Sequence, residues 1–359
     1  MVGIIATVLL FLAVLCVLVL IHELGHFVAA RIFGIHVEEF GFGFPPRVWG
    51  IKRGPTLYSI NALPLGGFVK LKGEDGTGTL SQDKDSFASR PWWQKLIVLA
   101  AGVFMNVVLT IVLFTVGYAI GMPHILDAEK LDGQARDAKI QITYIQQGSP
   151  AQKAGLAIGD VISQLDGVAQ TSIQDVQDYT RAHVEQSVTV TYIRGNSVST
   201  QQITPVILKE TGKAGIGIGI ARIGLVSYPL HIAFIKSLET TWGIAVMIVS
   251  TLGSALRHLA FDNFVGPVGI ASYTGTVAQL GITYLINLVG QLSMSLAIFN
   301  FLPIPALDGG RALFILIERV RRKSLNPAFE NAIHVAGFML LIALLILITI
   351  RDVTRMLPM

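Results

Sequence analysis

The chain has 359 residues, of which 52% are hydrophobic and only 14% charged, and its mean hydropathy is +0.62. Soluble domains carry about 25% charged residues, so a disordered chain is excluded, an ordinary soluble enzyme is disfavoured, and a polytopic membrane protein with one small polar domain is expected. The net charge of +4 comes without a basic run interleaved with aromatics, which argues against nucleic-acid binding, and the single cysteine, Cys16, excludes a disulfide framework or a cysteine metal site within one chain.

The first predicted element is a membrane helix over Val2–Ala29, within a segment 1–30. Met1 to Ile21 carries no charge. It lacks the positive start of a signal peptide and is too long for one, so it reads as a retained helix. At its end stands His22-Glu23-Leu24-Gly25-His26. Histidines at i and i+4 share one helix face and can ligate one Zn2+, and Glu23 is placed to act as general base on the attacking water. Three ionisable residues behind 21 uncharged ones are costly in or near a bilayer, which marks them as functional.

Residues 31–95 hold nine Lys/Arg and read as a cytoplasmic-side loop. Within it, Gly41–Pro46 and Tyr58–Lys70 are turn-punctuated β segments. Tyr58, Ser59, Ile60 and Asn61 are expected to offer a strand edge on which an unwound substrate can pair. A second helix, Leu96–Met122, occupies a segment 96–123.

The block 125–225 has the composition of a small soluble domain. Alternation predicts strands over Ile140–Ile145, Val188–Ile193, Gln201–Ile207 and Gly215–Ile220, and a helix over Ile173–His183. The segment 230–283 follows. Its 17 charge-free residues Thr240–Leu256 are ambiguous as a span.

The third expected membrane helix, Tyr284–Leu307 in a segment 284–310, ends on Asp308-Gly309-Gly310, with Pro303 and Pro305 just before the acid. Such prolines favour a broken helix whose free backbone groups line a cavity. A basic loop, 311–331, has five Lys/Arg in residues 311–323, and a last helix, Ala332–Ile350, closes the pattern.

Topology makes Asp308 the best third ligand. The histidines lie at the end of the first helix beside a basic loop, so that helix runs from outside to cytoplasm. The second helix returns outside, which places 125–225 outside. For Asp308 to reach the histidines, an odd number of crossings must separate it from that domain. Thr240–Leu256 is therefore expected to lie in the interface or to re-enter, unless Asn263–Leu280 also crosses.

These residues resemble the site-2 protease family of intramembrane zinc metalloproteases, in its bacterial regulator-of-sigma-E protease (RseP) branch. His22–His26, Ser59–Lys70, Ala100-Ala101-Gly102 with Asn106, Gly266–Ala271 and Leu307-Asp308-Gly309 carry the resemblance. Gly148–Leu156, Gly159-Asp160-Val161-Ile162 and Asp166-Gly167 resemble a single circularly permuted PDZ domain, where the best-known relatives carry two.

The resemblance implies a bacterial inner-membrane enzyme of about four membrane helices, with a membrane-associated β region on the cytoplasmic side and an extracytoplasmic PDZ-like domain. The active site would lie near the cytoplasmic side and both termini outside. It implies one Zn2+ held by His22, His26 and Asp308, Glu23 as base, and Asn300 assisting the substrate or oxyanion. Read from the residues alone, Asn300 is also a polar group bonding across helices. Implied partners are the lipid bilayer and single-span membrane proteins, whose trimmed ends the PDZ-like domain would contact. Two other readings remain: a catalytically dead scaffold, which has no need of Glu23, and a metal transporter, which would place ionisable groups at mid-membrane in several helices.

Overall fold

The structure is a computed structural model and describes residues 3–74, 83–126, 135–195, 197–208, 212–258, 265–323 and 325–356. Parts of the expected segments 1–30, 31–95, 125–225, 230–283 and 311–331 thus lie outside the described residues. The chain forms two compact units: Met1–Leu113, Ser237–Tyr273 and Val289–Met359 make the first, and Phe114–Lys236 with Thr274–Leu288 makes the second.

Helix α1, Ile4–Ile32, is apolar on all sides until His22, and its 29 residues span about 43 Å, more than a bilayer core of about 30 Å. It stops at Phe33-Gly34, where Gly34 takes φ +65°. Two long strands follow, β1 (Val37–Arg53) and β2 (Thr56–Leu71), joined by a turn at Gly54 with φ +63°. Their pairing is not that of a simple hairpin. Phe40 pairs with both Tyr58 and Val69, while Tyr58 pairs with both Phe40 and Ile51. Each strand therefore bends back, and the ribbon becomes four antiparallel segments in the order 47–53, 56–61, 37–44, 63–71. The bend is fastened by the buried Asn61, whose Nδ2 donates to the Gly43 carbonyl at 3.0 Å.

This path corrects the expected role of Tyr58, Ser59, Ile60 and Asn61. They lie in an inner segment paired on both sides, so their backbone offers no free edge, and Ser59 and Asn61 are buried. The outer segments are 47–53 and 63–71. Helix α2, Trp92–Ile120, then packs its first turns with the ends of α1 and the ribbon around Ala30, Ile35, Val37, Leu71, Phe87 and Val98.

The second unit holds the other β-sheet. Strands β3 (Met122–Ile125), β4 (Ala135–Ile145), β5 (Val161–Leu165), β6 (Val168–Ala169), β7 (Val188–Arg194), β8 (Ser197–Ile203), β9 (Val206–Ile207), β10 (Ala214–Gly215) and β11 (Ile218–Val226) alternate with the short helix α3 (Pro150–Lys153) and with α4 (Ile173–Ala182). The sheet runs β3-β11-β4-β5-β7-β8, all antiparallel, with β6 beside β5. Its core is Ile140, Ile142, Ile162, Leu165, Val188 and Val190, the inward members of alternating strands. The run expected over Gln201–Ile207 is divided between β8 and β9, which flank Pro205, and the last strand begins at Ile218 beyond Gly217 with φ +79°. Helix α4 starts on a capping box in which Ser172 and Asp175 satisfy each other's backbone N–H.

Helix α5, Leu230–His258, is a continuous helix of 29 residues. That replaces the re-entrant reading of Thr240–Leu256: Lys236 and Glu239 sit inside a helix that the charge-free window had cut short. Helices α6 (Pro267–Leu280) and α7 (Ile282–Phe301) follow. The expected helix to residue 310 ends instead at Phe301. Residues 302–307 are non-helical, with Pro303 and Pro305 denying backbone donors and Ala306 at φ +78°. Asp308 opens a new helix, α8 (Asp308–Arg321), where a loop was expected, and α9 (Pro327–Met356) completes the chain. Among the described residues, α1, α2, α5, α7 and α9 are long and apolar enough to cross a membrane. The protein is thus a mixed α/β chain with several such helices and separate β-sheet regions.

Candidate metal centre

The centre lies within the first unit. His22 and His26 stand one turn apart on α1, both buried. A close crossing brings α2 against them. A Cβ on Gly25 would lie 2.2 Å from the Ala101 carbonyl oxygen, and a Cβ on Gly102 would lie 2.4 Å from His26 Nε2 and 2.8 Å from His22 Cε1. Only glycine at both positions lets the backbones approach this far while the imidazoles lie over Gly102.

Asp308 arrives from α8. The break at 302–307 turns the chain so that the first turn of α8 packs under it. A Cβ at Gly309 or Gly310 would fall 2.3 Å from the Phe301 carbonyl oxygen or 2.2 Å from that of Ile304. The break is itself held by α9, from which His334 Nδ1 accepts the Ala306 N–H at 2.9 Å. Arg311, one turn on from Asp308, pairs with Glu74 at the end of the ribbon.

Three atoms then converge. His22 Nε2 and Asp308 Oδ2 are 3.0 Å apart, His26 Nε2 and Asp308 Oδ2 3.3 Å, and the two Nε2 atoms 3.2 Å. Ligand atoms around a tetrahedral Zn2+ with bonds of about 2.0–2.1 Å are separated by about 3.3 Å, so the triangle has the dimensions of one tetrahedral face. The tautomers agree. His26 Nδ1–H donates to the Val98 carbonyl at 2.8 Å, which leaves the Nε2 lone pair facing Asp308 and His22. His22 Nδ1 lies 3.3 Å from the Asn106 amide, whose buried Oδ1 has no partner among the described residues. Turning that amide over lets His22 Nδ1–H donate to Oδ1 and leaves its Nε2 free as well. Lone pairs packed this closely repel unless a cation lies between them.

Glu23 is half-buried beside His22, and a Cβ at Gly67 on the outer ribbon segment would lie 3.3 Å from its Cγ. Asn300 lies half-buried in the last turn of α7, apart from the hydrogen bonds that join the cluster. The structure therefore brings His22, His26 and Asp308 together, sets Glu23 at their side, and leaves Tyr58–Asn61 inside the ribbon. Sequence reasoning did not give Asn106, Val98 or His334 a role. A lone asparagine within an apolar helix was the available signal for Asn106.

Comparison with known proteins bears on this site. The sequence profile of peptidase family M50 matches residues 10–344. A Clostridium perfringens protein with a provisional zinc-metalloprotease name is 35% identical over 343 residues, covering 94% of this chain and 95% of its own. The zinc metalloprotease RasP of Bacillus licheniformis is 29% identical over 434 aligned positions, covering 98% of this chain and 99% of its own. The regulator of sigma-W protease RasP of Bacillus subtilis is 28% identical, with coverage of 98% and 99%. Among solved structures, the PDZ domain of an SdrC-like protein from Listeria monocytogenes aligns with 23% of this chain and 86% of its own, at 28% identity and a TM-score of 0.21.

Proposed function

The chain belongs to peptidase family M50 and is a zinc metalloendopeptidase whose His–His–Asp site is consistent with intramembrane proteolysis, and from that premise we propose how its residues divide the work. His22, His26 and Asp308 hold one Zn2+. The observation that carries this reading is the convergence of their three ligand atoms within 4.8 Å. Bound there, zinc supplies a Lewis acid that polarises the scissile carbonyl and acidifies water. Glu23 takes the proton from the attacking water and returns it to the leaving amine. Asn106 and the Val98 carbonyl fix the imidazole tautomers, and Asn300 assists the substrate or the developing oxyanion from the end of α7.

The substrates are single-span membrane proteins, unwound before cleavage. The pairing edge moves from Tyr58–Asn61 to the outer ribbon segment around Gly67, because that segment is paired on one side and packs on Glu23. The second unit's β domain is PDZ-like, lies outside the cytoplasm and meets trimmed substrate ends. Excising 127–222 should then broaden substrate choice, and unchanged selectivity would remove the gating role.

The enzyme lies in the bacterial inner membrane with four crossings, by α1, α2, α7 and α9, and with both termini outside. Parity supports this. The site joins the end of α1 to the chain just after α7, so α7 runs in the same sense as α1, and an even number of crossings lies between α2 and α7. Helix α6 has 14 residues, about 21 Å, too short to cross. Helix α9 leaves the site face for the outer one, and near its end the buried Asp352 accepts the Gly269 N–H at 2.9 Å, at the start of α6. Both ends of α5 are therefore outside, and α5 lies in the interface.

The test is Glu23→Gln in purified, zinc-loaded protein with a single-span substrate. Retained zinc with abolished cleavage is expected; cleavage equal to the native rate would remove Glu23 as the base.

A further inference from the structure

A second feature of the first unit lies away from the metal centre. Between the first turn of α2 and the last turn of α8 is a cleft of about 460 Å3, and Trp92, Lys95, Glu318, Arg319, Arg322 and Lys323 are among the side chains that line it. Four of these six side chains are cationic and one is acidic. Glu318 Oε1 accepts the Leu325 N–H at 2.7 Å, and Glu318 and Glu330 act electrostatically on Lys95, which leaves Arg319, Arg322 and Lys323 as the cations in excess. Among the described residues, Lys95, Arg319, Arg322 and Lys323 make no ion pair, so the cleft holds an excess of positive charge. Arg319 instead lies over the Trp92 ring, with Cζ 5.8 Å from its centroid.

The position of the cleft narrows the choice of anion. Trp92 opens a helix long and apolar enough to span a membrane and is itself 42% exposed, the setting in which tryptophan is enriched at the headgroup level. The positive end of the α2 dipole faces the cleft, and the negative end of α8 is offset by Arg319, Arg322 and Lys323 around it. A ligand here has an anionic head at the level of the cations and an apolar body running down α2.

We propose that this cleft binds the phosphate headgroup of an anionic phospholipid, held by Arg319, Arg322, Lys323 and Lys95 with Trp92 at its wall. A lipid so placed ties the end of α8 to the start of α2, the two helices that respectively carry Asp308 and orient the histidines.

The full-length protein, with Trp49, Trp93 and Trp242 replaced by Phe, is reconstituted into phosphatidylcholine vesicles containing a minor fraction of phosphatidylglycerol. Brominated chains on one lipid or the other then quench Trp92. Brominated phosphatidylglycerol should quench about tenfold more effectively than brominated phosphatidylcholine at equal mole fraction. The preference should vanish in Arg319→Gln/Arg322→Gln/Lys323→Gln with its zinc content unchanged. If that triple variant does not fold, Arg319→Gln alone should reduce the preference severalfold. Equal quenching by the two lipids, or an unaltered preference in the variants, overturns the site. Equal quenching by the two lipids, with a Trp92 emission change that saturates on adding inorganic phosphate but not on adding chloride to the same ionic strength, overturns the lipid and makes the ligand a free anion.

Discussion

The first unit half-buries a carboxylate, and the second fully buries one, against cationic or potentially cationic groups, with opposite geometry. In the second unit Asp160 is 1% exposed and Arg194 meets it fork to fork, Nε to Oδ1 and a terminal guanidinium nitrogen to Oδ2, both at 2.7 Å. Its Oδ2 also accepts the Ala157 N–H at 2.8 Å. Each nitrogen that meets this carboxylate donates to it. In the first unit Asp308 Oδ2 faces two Nε2 atoms; the Val98 carbonyl takes the Nδ1 proton of His26, and the Asn106 amide, turned so that Oδ1 faces the ring, takes that of His22. The first arrangement is a strut that closes a loop; the second is a set of lone pairs that wants a cation.

Changes at the two places should have effects that do not cross over. The largest is expected for Gly102→Ala, which puts a methyl 2.4 Å from His26 Nε2. Zinc binding and cleavage should both be lost, with thermal unfolding of the second unit unmoved. Next is Arg194→Ala, which leaves Asp160 buried without its partner and should cost the second unit about 3–5 kcal/mol in denaturant unfolding while zinc stays bound. Replacing both members by apolar residues should recover part of that loss, since a strut can be exchanged for packing.

Asn106→Ala removes the group that orients His22, and zinc affinity should fall about 10–100-fold by competition with a chelator. Asn106→Asp should restore much of it, because a carboxylate accepts the same N–H. Smallest is Ser172→Ala, which removes the cap of α4 and should cost the second unit about 1 kcal/mol. The Thr189 backbone N–H, and less strongly the Tyr179 hydroxyl, hold the exposed Asp166 carboxyl below its ordinary range. A carboxyl lowered on folding stabilises the fold above its unfolded pKa and loses that contribution as pH falls through the folded one. The second unit should therefore weaken as acid takes pH below about 4.

The His22–His26–Asp308 cluster was legible because metal-ligand chemistry imposes a spacing. Two histidines four residues apart declare a helix face, and charge counting in the loops gave the parity that selected Asp308. The ribbon was legible as β but not in its path, since a doubled register depends on where Gly43 and Asn61 meet, 18 residues apart. That is why sequence alone gives Tyr58–Asn61 a free edge, although the ribbon encloses that segment between two others. Pro303 and Pro305 signal the break before Asp308, but the apolar residues 302–307 do not show that α7 ends as early as Phe301. Helix α8 was hidden by its arginines, which read as loop charge until the turn at 302–307 supplies its start. Asn106 and His334 act through other residues, and no periodicity marks such a role.

The central claim is that His22, His26 and Asp308 form a metal site and not a buried ion pair. Zinc content of the purified full-length protein, measured by mass spectrometry of the metal, tests it most directly. One zinc per chain is predicted for the native protein and for Glu23→Gln, and none for His22→Ala/Asp308→Ala. A full zinc per chain in that double variant would contradict the account.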